Sequence, residues 1–308
     1  FLLLCLLPAI ALADGHVDDP ELFMTAPEMI RYWGYPAEEH SSTTADGYIL
    51  GMHRIPKGIS GPTPACRPVV FMQHGLESET TSWIANLPEQ SAAFVFADAG
   101  FDVWMGNARG NTYSKKHVNL TSDDEKFSEF SWDEMAQYDL GAMIDYVLQQ
   151  TGQKSLYYIG HSQGTLTMFS KLSLDPAFAP KIKKFFALAP VGSVAHIKGS
   201  FHDLADRLTD DIELFYELFG SREFTPNSEI TELLAQWLCG GSERGEDNNI
   251  MFDLVGPSDQ FNKSRTEVYV AHNPAGTSTQ NIIHWAQMIE QGTVSRFDYG
   301  SSKKNYQH

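Results

Sequence analysis

Gly160-His161-Ser162-Gln163-Gly164 holds a serine hydroxyl between two glycines in the pattern G-x-S-x-G. The apolar run Ser155–Ile159 leads into it, and Thr165–Leu172 leaves it with helical character. Strand, sharp turn and helix form the setting in which a serine is lifted off the end of a strand to act as a nucleophile. A Cβ at Gly160 or Gly164 would crowd the turn. A bare G-x-S-x-G also occurs in ordinary glycine-rich turns, so it is the flanking strand and helix that favour the nucleophilic reading of Ser162.

A serine hydroxyl needs a base to take its proton, a third group to orient the base, and two hydrogen-bond donors aimed at the oxyanion. One donor is expected from the backbone N–H after the nucleophile, here Gln163. The other is expected from the loop after an early strand. His74-Gly75-Leu76 closes the strand Pro68–Gln73, which assigns the second donor to the backbone of Leu76. His74 reads as a support for that loop rather than the base, and His161 as structural.

The elements that must position these groups follow from periodicity. Glu38–Thr44 and Tyr48–Arg54 read as a hairpin around Asp46-Gly47. Gly100–Gly106 and Phe185–Pro190 read as strands, and Phe94–Ala99 and Ser131–Gln150 as helices. Alternating strands and helices imply an α/β fold with a mostly parallel sheet covered on both faces. Beyond Pro190 the texture changes. His202–Phe219 and Ser228–Leu238 are acidic and amphipathic, which reads as an inserted, mainly helical cap or as the next covering helices. The expected division is a core over residues 14–191 and a cap region over 192–308.

The chain has 308 residues, 42% hydrophobic and 20% charged, enough for one large domain with an insertion. Phe1–Ala13 is apolar and ends in Ala11-Leu12-Ala13, the pattern of a partial signal peptide cut after Ala13. It is too short to span a bilayer, and no transmembrane anchor is expected. Asn119-Leu120-Thr121 and Asn262-Lys263-Ser264 are glycosylation sequons, consistent with export. Cys66 and Cys239 remain after the leader, paired or free. No His/Cys cluster points to a metal, and no cofactor is expected. A net charge of −17 speaks against nucleic acid as a partner.

Several motifs stand together: His74-Gly75-Leu76, Gly106–Asn111, Trp132–Met135, Tyr138-Asp139, Gly160–Thr165 and His272–Ser278. From about Pro27 onward they resemble the acid lipase family, which includes gastric lipases and lysosomal acid lipase. The resemblance implies an α/β-hydrolase fold with a cap and lid. It implies secretion or a lysosomal destination, and hydrolysis of triacylglycerols and, in some members, cholesteryl esters at a lipid–water interface. It places the nucleophile at Ser162 and the oxyanion donors at Leu76 and Gln163. Gly106–Asn111 reads as a packed loop with a structural arginine. Asp247 stands where the family has a second cap cysteine, after the position of Cys239.

The resemblance puts the triad's acid and base in a C-terminal part of the core after Phe297–Gly300, so the acid, the base and the last core strands are expected to lie outside this sequence. A rival reading keeps them inside. In it Asn249–Val255 and Thr266–Ala271 are strands, Asp259 is the acid, and His272 or His284 is the base. Two other functions share the same residues: a non-catalytic lipid carrier, and a carboxylesterase for soluble esters.

Overall fold

The computed structural model describes residues 19–59, 66–198, 223–224 and 260–306. Phe1–Ala13, Cys239, the helices expected over His202–Phe219 and Ser228–Leu238, and the segment Asn249–Asp259 lie outside the described residues.

Helix α1 (Ala26–Tyr32) starts on a capping box between Thr25 and Glu28. The hairpin β1 (Glu38–Thr43) and β2 (Tyr48–Ile55) turns at Asp46-Gly47, with Gly47 in the left-handed region at φ +102. Then come β3 (Val69–Gln73), α2 (Ala92–Asp98), β4 (Asp102–Gly106) and the short β5 (Lys116–His117). Helix α3 (Trp132–Glu134) runs through a π turn (Met135–Asp139) into α4 (Leu140–Thr151), so the long helix expected over Ser131–Gln150 carries a π bulge. β6 (Leu156–His161), α5 (Gln163–Leu174) and β7 (Ile182–Leu188) follow.

The sheet order is β1-β2-β4-β3-β6-β7, with β5 beside β2. β4, β3, β6 and β7 are parallel; the hairpin joins them antiparallel. Every residue of β3 and β4 is buried. Alternate side chains therefore face two separate cores. Val69, Phe71, Trp104 and Tyr158 pack with α4 and α5; Val70, Met72, Val103 and Met105 pack with α1 and α2. This explains why these strands read as unbroken apolar runs rather than as alternation. Among the described residues β7 is paired on one side only, and its Phe186 and Leu188 are 47% and 46% exposed.

Downstream, β8 (Glu223–Phe224) pairs with β9 (Thr277–Ser278), and α6 (Thr266–His272), α7 (Thr279–Gln291) and α8 (Ser302–Asn305) complete the described chain. The strand expected over Thr266–Ala271 is a helix. Val268 faces the core beside α1, and Arg265 anchors the first turn with bonds to Ala85 O, Asp19 and Glu21. These tertiary bonds outweigh the strand preference of Thr266, Val268, Tyr269 and Val270. Ile283, Ala286 and Met288 of α7 join the same core as Phe71 and Tyr158. No helix among the described residues is long and apolar enough to cross a membrane.

Candidate active site

Ser162 stands between the last residue of β6 and the first of α5, at φ +50 and ψ −117. A non-glycine residue held there stores about 1–3 kcal/mol of backbone strain. The turn is fastened at three points. Ser162 N–H donates to Leu188 O at 3.0 Å, Thr165 N–H donates to Ser162 O at 2.8 Å, and the Tyr158 hydroxyl donates to Gly164 O at 2.8 Å. The flanking glycines are required by contact. A Cβ on Gly160 would lie 2.6 Å from Gly164 O, and one on Gly164 would lie 2.5 Å from Gln73 O. A Cβ on Gly75 would lie 3.1 Å from Ser162 Cβ, which shows how closely the His74–Leu76 loop approaches the serine.

His74 fixes that loop. Its Nε2 accepts the Ala108 N–H at 3.0 Å and faces the Asn111 amide at 3.1 Å, so this nitrogen is unprotonated. The proton is then on Nδ1, which donates to Gly75 O at 2.7 Å. Burial pushes the imidazole down to about 4 and keeps it neutral. The Gly75 carbonyl and the Leu76 N–H belong to one trans peptide plane and point in opposite directions. By gripping the carbonyl, His74 turns the Leu76 N–H the other way. The Leu76 and Gln163 N–H groups have no acceptor among the described residues. The second of these opens α5, where a helix leaves its first N–H groups unsatisfied.

Arg109 lies behind the loop, 1% exposed, with Asp139 also at 1%. Its Nε donates to Asp139 Oδ1 at 2.8 Å, its Nη1 to Asp46 Oδ2 at 2.6 Å, and its guanidinium lies 4.0 Å over the Tyr48 ring. It is the structural arginine expected of this loop.

The two rival bases are engaged by other groups. Asp259 lies outside the described residues. His272 closes a helix rather than a strand, and its Nε2 bonds Glu21 O at 2.8 Å. His284 is buried in α7 with both nitrogens engaged, by Ser131 Oγ at 3.0 Å and Ser295 O at 2.8 Å. Its ring stacks on Trp132, and burial holds it down at about 4. Among the described residues no side chain hydrogen-bonds the Ser162 hydroxyl. Of the sequons, Asn119 is exposed, whereas the Asn262 amide donates to Gln90 Oε1 at 2.9 Å.

Sequence reasoning missed a second layer. Gln163 Oε1 accepts the Trp285 Nε1–H at 2.7 Å and the Asn281 amide at 3.0 Å, and Gln163 Nε2 reaches Met135 Sδ at 3.5 Å. Trp285 follows Asn281 by four residues, and this i, i+4 spacing on one helix face was the available signal.

Residues 26–87 match the family described as a partial alpha/beta-hydrolase lipase region, and residues 68–287 match the alpha/beta hydrolase fold. The chain is 54% identical to Lipase lipl-1 of Caenorhabditis elegans, over 99% of this chain and 77% of that protein. It is 46% identical to human gastric triacylglycerol lipase, over 95% and 74% of the two chains. It is 47% identical to human lysosomal acid lipase/cholesteryl ester hydrolase, over 94% and 73%. The chain belongs to the α/β-hydrolase lipases. In this lipase the serine turn is thus part of a family fold. A cavity of about 300 Å³ opens one turn further along α5, lined by Leu166, Phe169, Trp132, Val191 and Val294 among others.

Proposed function

We propose that this lipase hydrolyses carboxylic esters of neutral lipids, triacylglycerol and cholesteryl ester among them, through an acyl-enzyme on Ser162. The observation that carries the reading is the strained serine turn flanked by two backbone N–H groups, of Leu76 and Gln163, with no acceptor among the described residues. The Ser162 oxygen bonds to the ester carbonyl carbon as its proton passes to a base. The two N–H groups receive the developing oxyanion. The carbonyl re-forms, and the alcohol leaves with the proton. Water then attacks the acyl-enzyme and releases the fatty acid and the serine. No described histidine is assigned as the base. The substrate class and the secreted or lysosomal destination rest on the kinship with gastric and lysosomal lipases. We assign residues 192–308 to the cap region, and glycan attachment to the exposed Asn119 and also to Asn262, whose amide must first leave Gln90.

The test uses protein made from its full coding sequence. A fluorophosphonate should label Ser162 stoichiometrically, and emulsified triolein should be hydrolysed by wild type but not by Ser162→Ala. An adduct on another serine, or full activity in Ser162→Ala, overturns the assignment.

A further inference from the structure

The two proposed donors sit on different elements, a loop and the first turn of α5, yet one downstream stretch touches the surroundings of both. Ala275 N–H donates to Glu77 O at 2.8 Å, and Gly276 N–H donates to Glu77 Oε2 at 3.2 Å. Ser78 Oγ donates to Asn273 Oδ1 at 2.9 Å. Glu77 follows Leu76 directly and is held at φ +54, a left-handed conformation that a residue with a Cβ keeps only when its surroundings enforce it. On its other side Ala275 O accepts the Thr112 N–H at 3.0 Å, so the stretch is wedged between two loops.

The same stretch then becomes α7. Ser278 caps it, accepting the Asn281 N–H at 3.0 Å, and its hydroxyl is anchored on Phe130 O. Within two turns Asn281 and Trp285 reach Gln163 Oε1. Asn281 also accepts the Trp132 N–H at 2.9 Å, which fixes its amide so that its nitrogen faces Gln163. The spacing between the Glu77 contact and the Gln163 contact is therefore set by a short extended segment and the opening turns of a buried helix.

An oxyanion hole works only when both donors meet one oxygen at about 2.7–3.1 Å. A misplacement of about 1 Å costs on the order of 10²-fold in rate. We propose that Asn273–Trp285 is a single positioning element that sets the separation of the two donors. Asn281 and Trp285 act through Gln163, and Ala275 and Gly276 act on Leu76 through Glu77. The proposal rests on the assignment of Leu76 and Gln163 as donors.

The experiment is a double-mutant cycle on a short soluble ester, with rates per active site titrated by phosphonate. Trp285→Phe removes the indole N–H. Gln163→Met removes the side-chain amide and leaves the backbone N–H. Each single variant should lower kcat about 10- to 100-fold with KM within about twofold, and the double variant should fall no further. Asn281→Asp keeps the acceptor for Trp132 N–H and loses the donor to Gln163, so it should match Trp285→Phe even where one of the two folds poorly. Wild-type kcat per titrated site in both Trp285→Phe and Asn281→Asp, with only the melting temperature lowered, overturns the proposal. So do single losses that multiply in the double variant. Absence of label on Ser162 in wild type is a separate outcome: it removes the serine assignment on which the proposal rests, and the proposal with it.

Discussion

Trp285 donates its indole N–H to Gln163 Oε1 at 2.7 Å, joining residues 122 apart in sequence. Gln163 is the first residue of the helix after the serine, so a side chain of α7 secures the very residue whose main-chain N–H faces the proposed reaction centre. The lipase site is therefore not a property of the serine loop alone.

His74→Ala should release the Gly75–Leu76 peptide from its hold and let the Leu76 N–H swing. Losing one oxyanion donor costs on the order of 10²–10³ in kcat. A loosened donor should cost at least about tenfold, with little change in KM. Steady-state kinetics on a soluble ester reads this directly.

Gly160→Ala and Gly164→Ala should each destabilise the fold by at least about 2–3 kcal/mol, because the new Cβ meets main-chain oxygen at 2.6 and 2.5 Å. Gly152→Ala is the control. Its φ is +67 but nothing lies within 4 Å, so only the backbone conformation is penalised, by about 1–2 kcal/mol. Denaturant melts of the three variants should separate steric clash from backbone preference.

Asp139→Ala should cost about 3–5 kcal/mol, since it leaves the buried Arg109 short of a partner. Asp145→Ala removes the exposed pair with Lys181 and should cost less than about 1 kcal/mol. Equal losses in the two variants would show that burial does not govern the strength of these pairs.

Glu79 is buried and bonds Thr81 N–H and the Thr81 hydroxyl, and burial raises its carboxyl to about 7. An unfolded chain ionises this group above about pH 4.5, while the fold keeps the proton. Its contribution to stability is thus complete below pH 4.5 and is lost as pH rises through 7. Glu79→Gln cannot ionise, so it should match wild type in acid and be more stable by up to about 3 kcal/mol at pH 8. Buried neutral histidines pull the other way as pH falls, so the informative quantity is the difference between variant and wild type in melts across pH 4–8.

The parts of this fold that sequence reveals are those where one physical rule acts alone. Glycines at 160 and 164 are dictated by contact, and the strands at 69–73 and 102–106 by burial on both faces. Helix α7 escaped because Gln280, Asn281, His284 and Gln287 are buried together with Ile283 and Met288, which erases any polar face from the pattern. Thr266–Ala271 looked like a strand because its β-branched residues alternate, and only the bonds made by Arg265 decide otherwise. The hold of His74 on Gly75 O follows from a tautomer, which depends on Ala108 and Asn111 and so cannot be read locally.

That tautomer also sets a threshold. Two N–H groups converge on His74 Nε2, and a second proton on the ring would confront both at once. Because burial holds the ring's proton affinity down at about 4, the loop beside Ser162 keeps its bonding pattern at pH values above that. Below that point a proton on Nε2 would displace the Ala108 and Asn111 contacts while the Nδ1–H bond to Gly75 O stays, so the loop should loosen at Ala108 and Asn111 over the ordinary span of one titration.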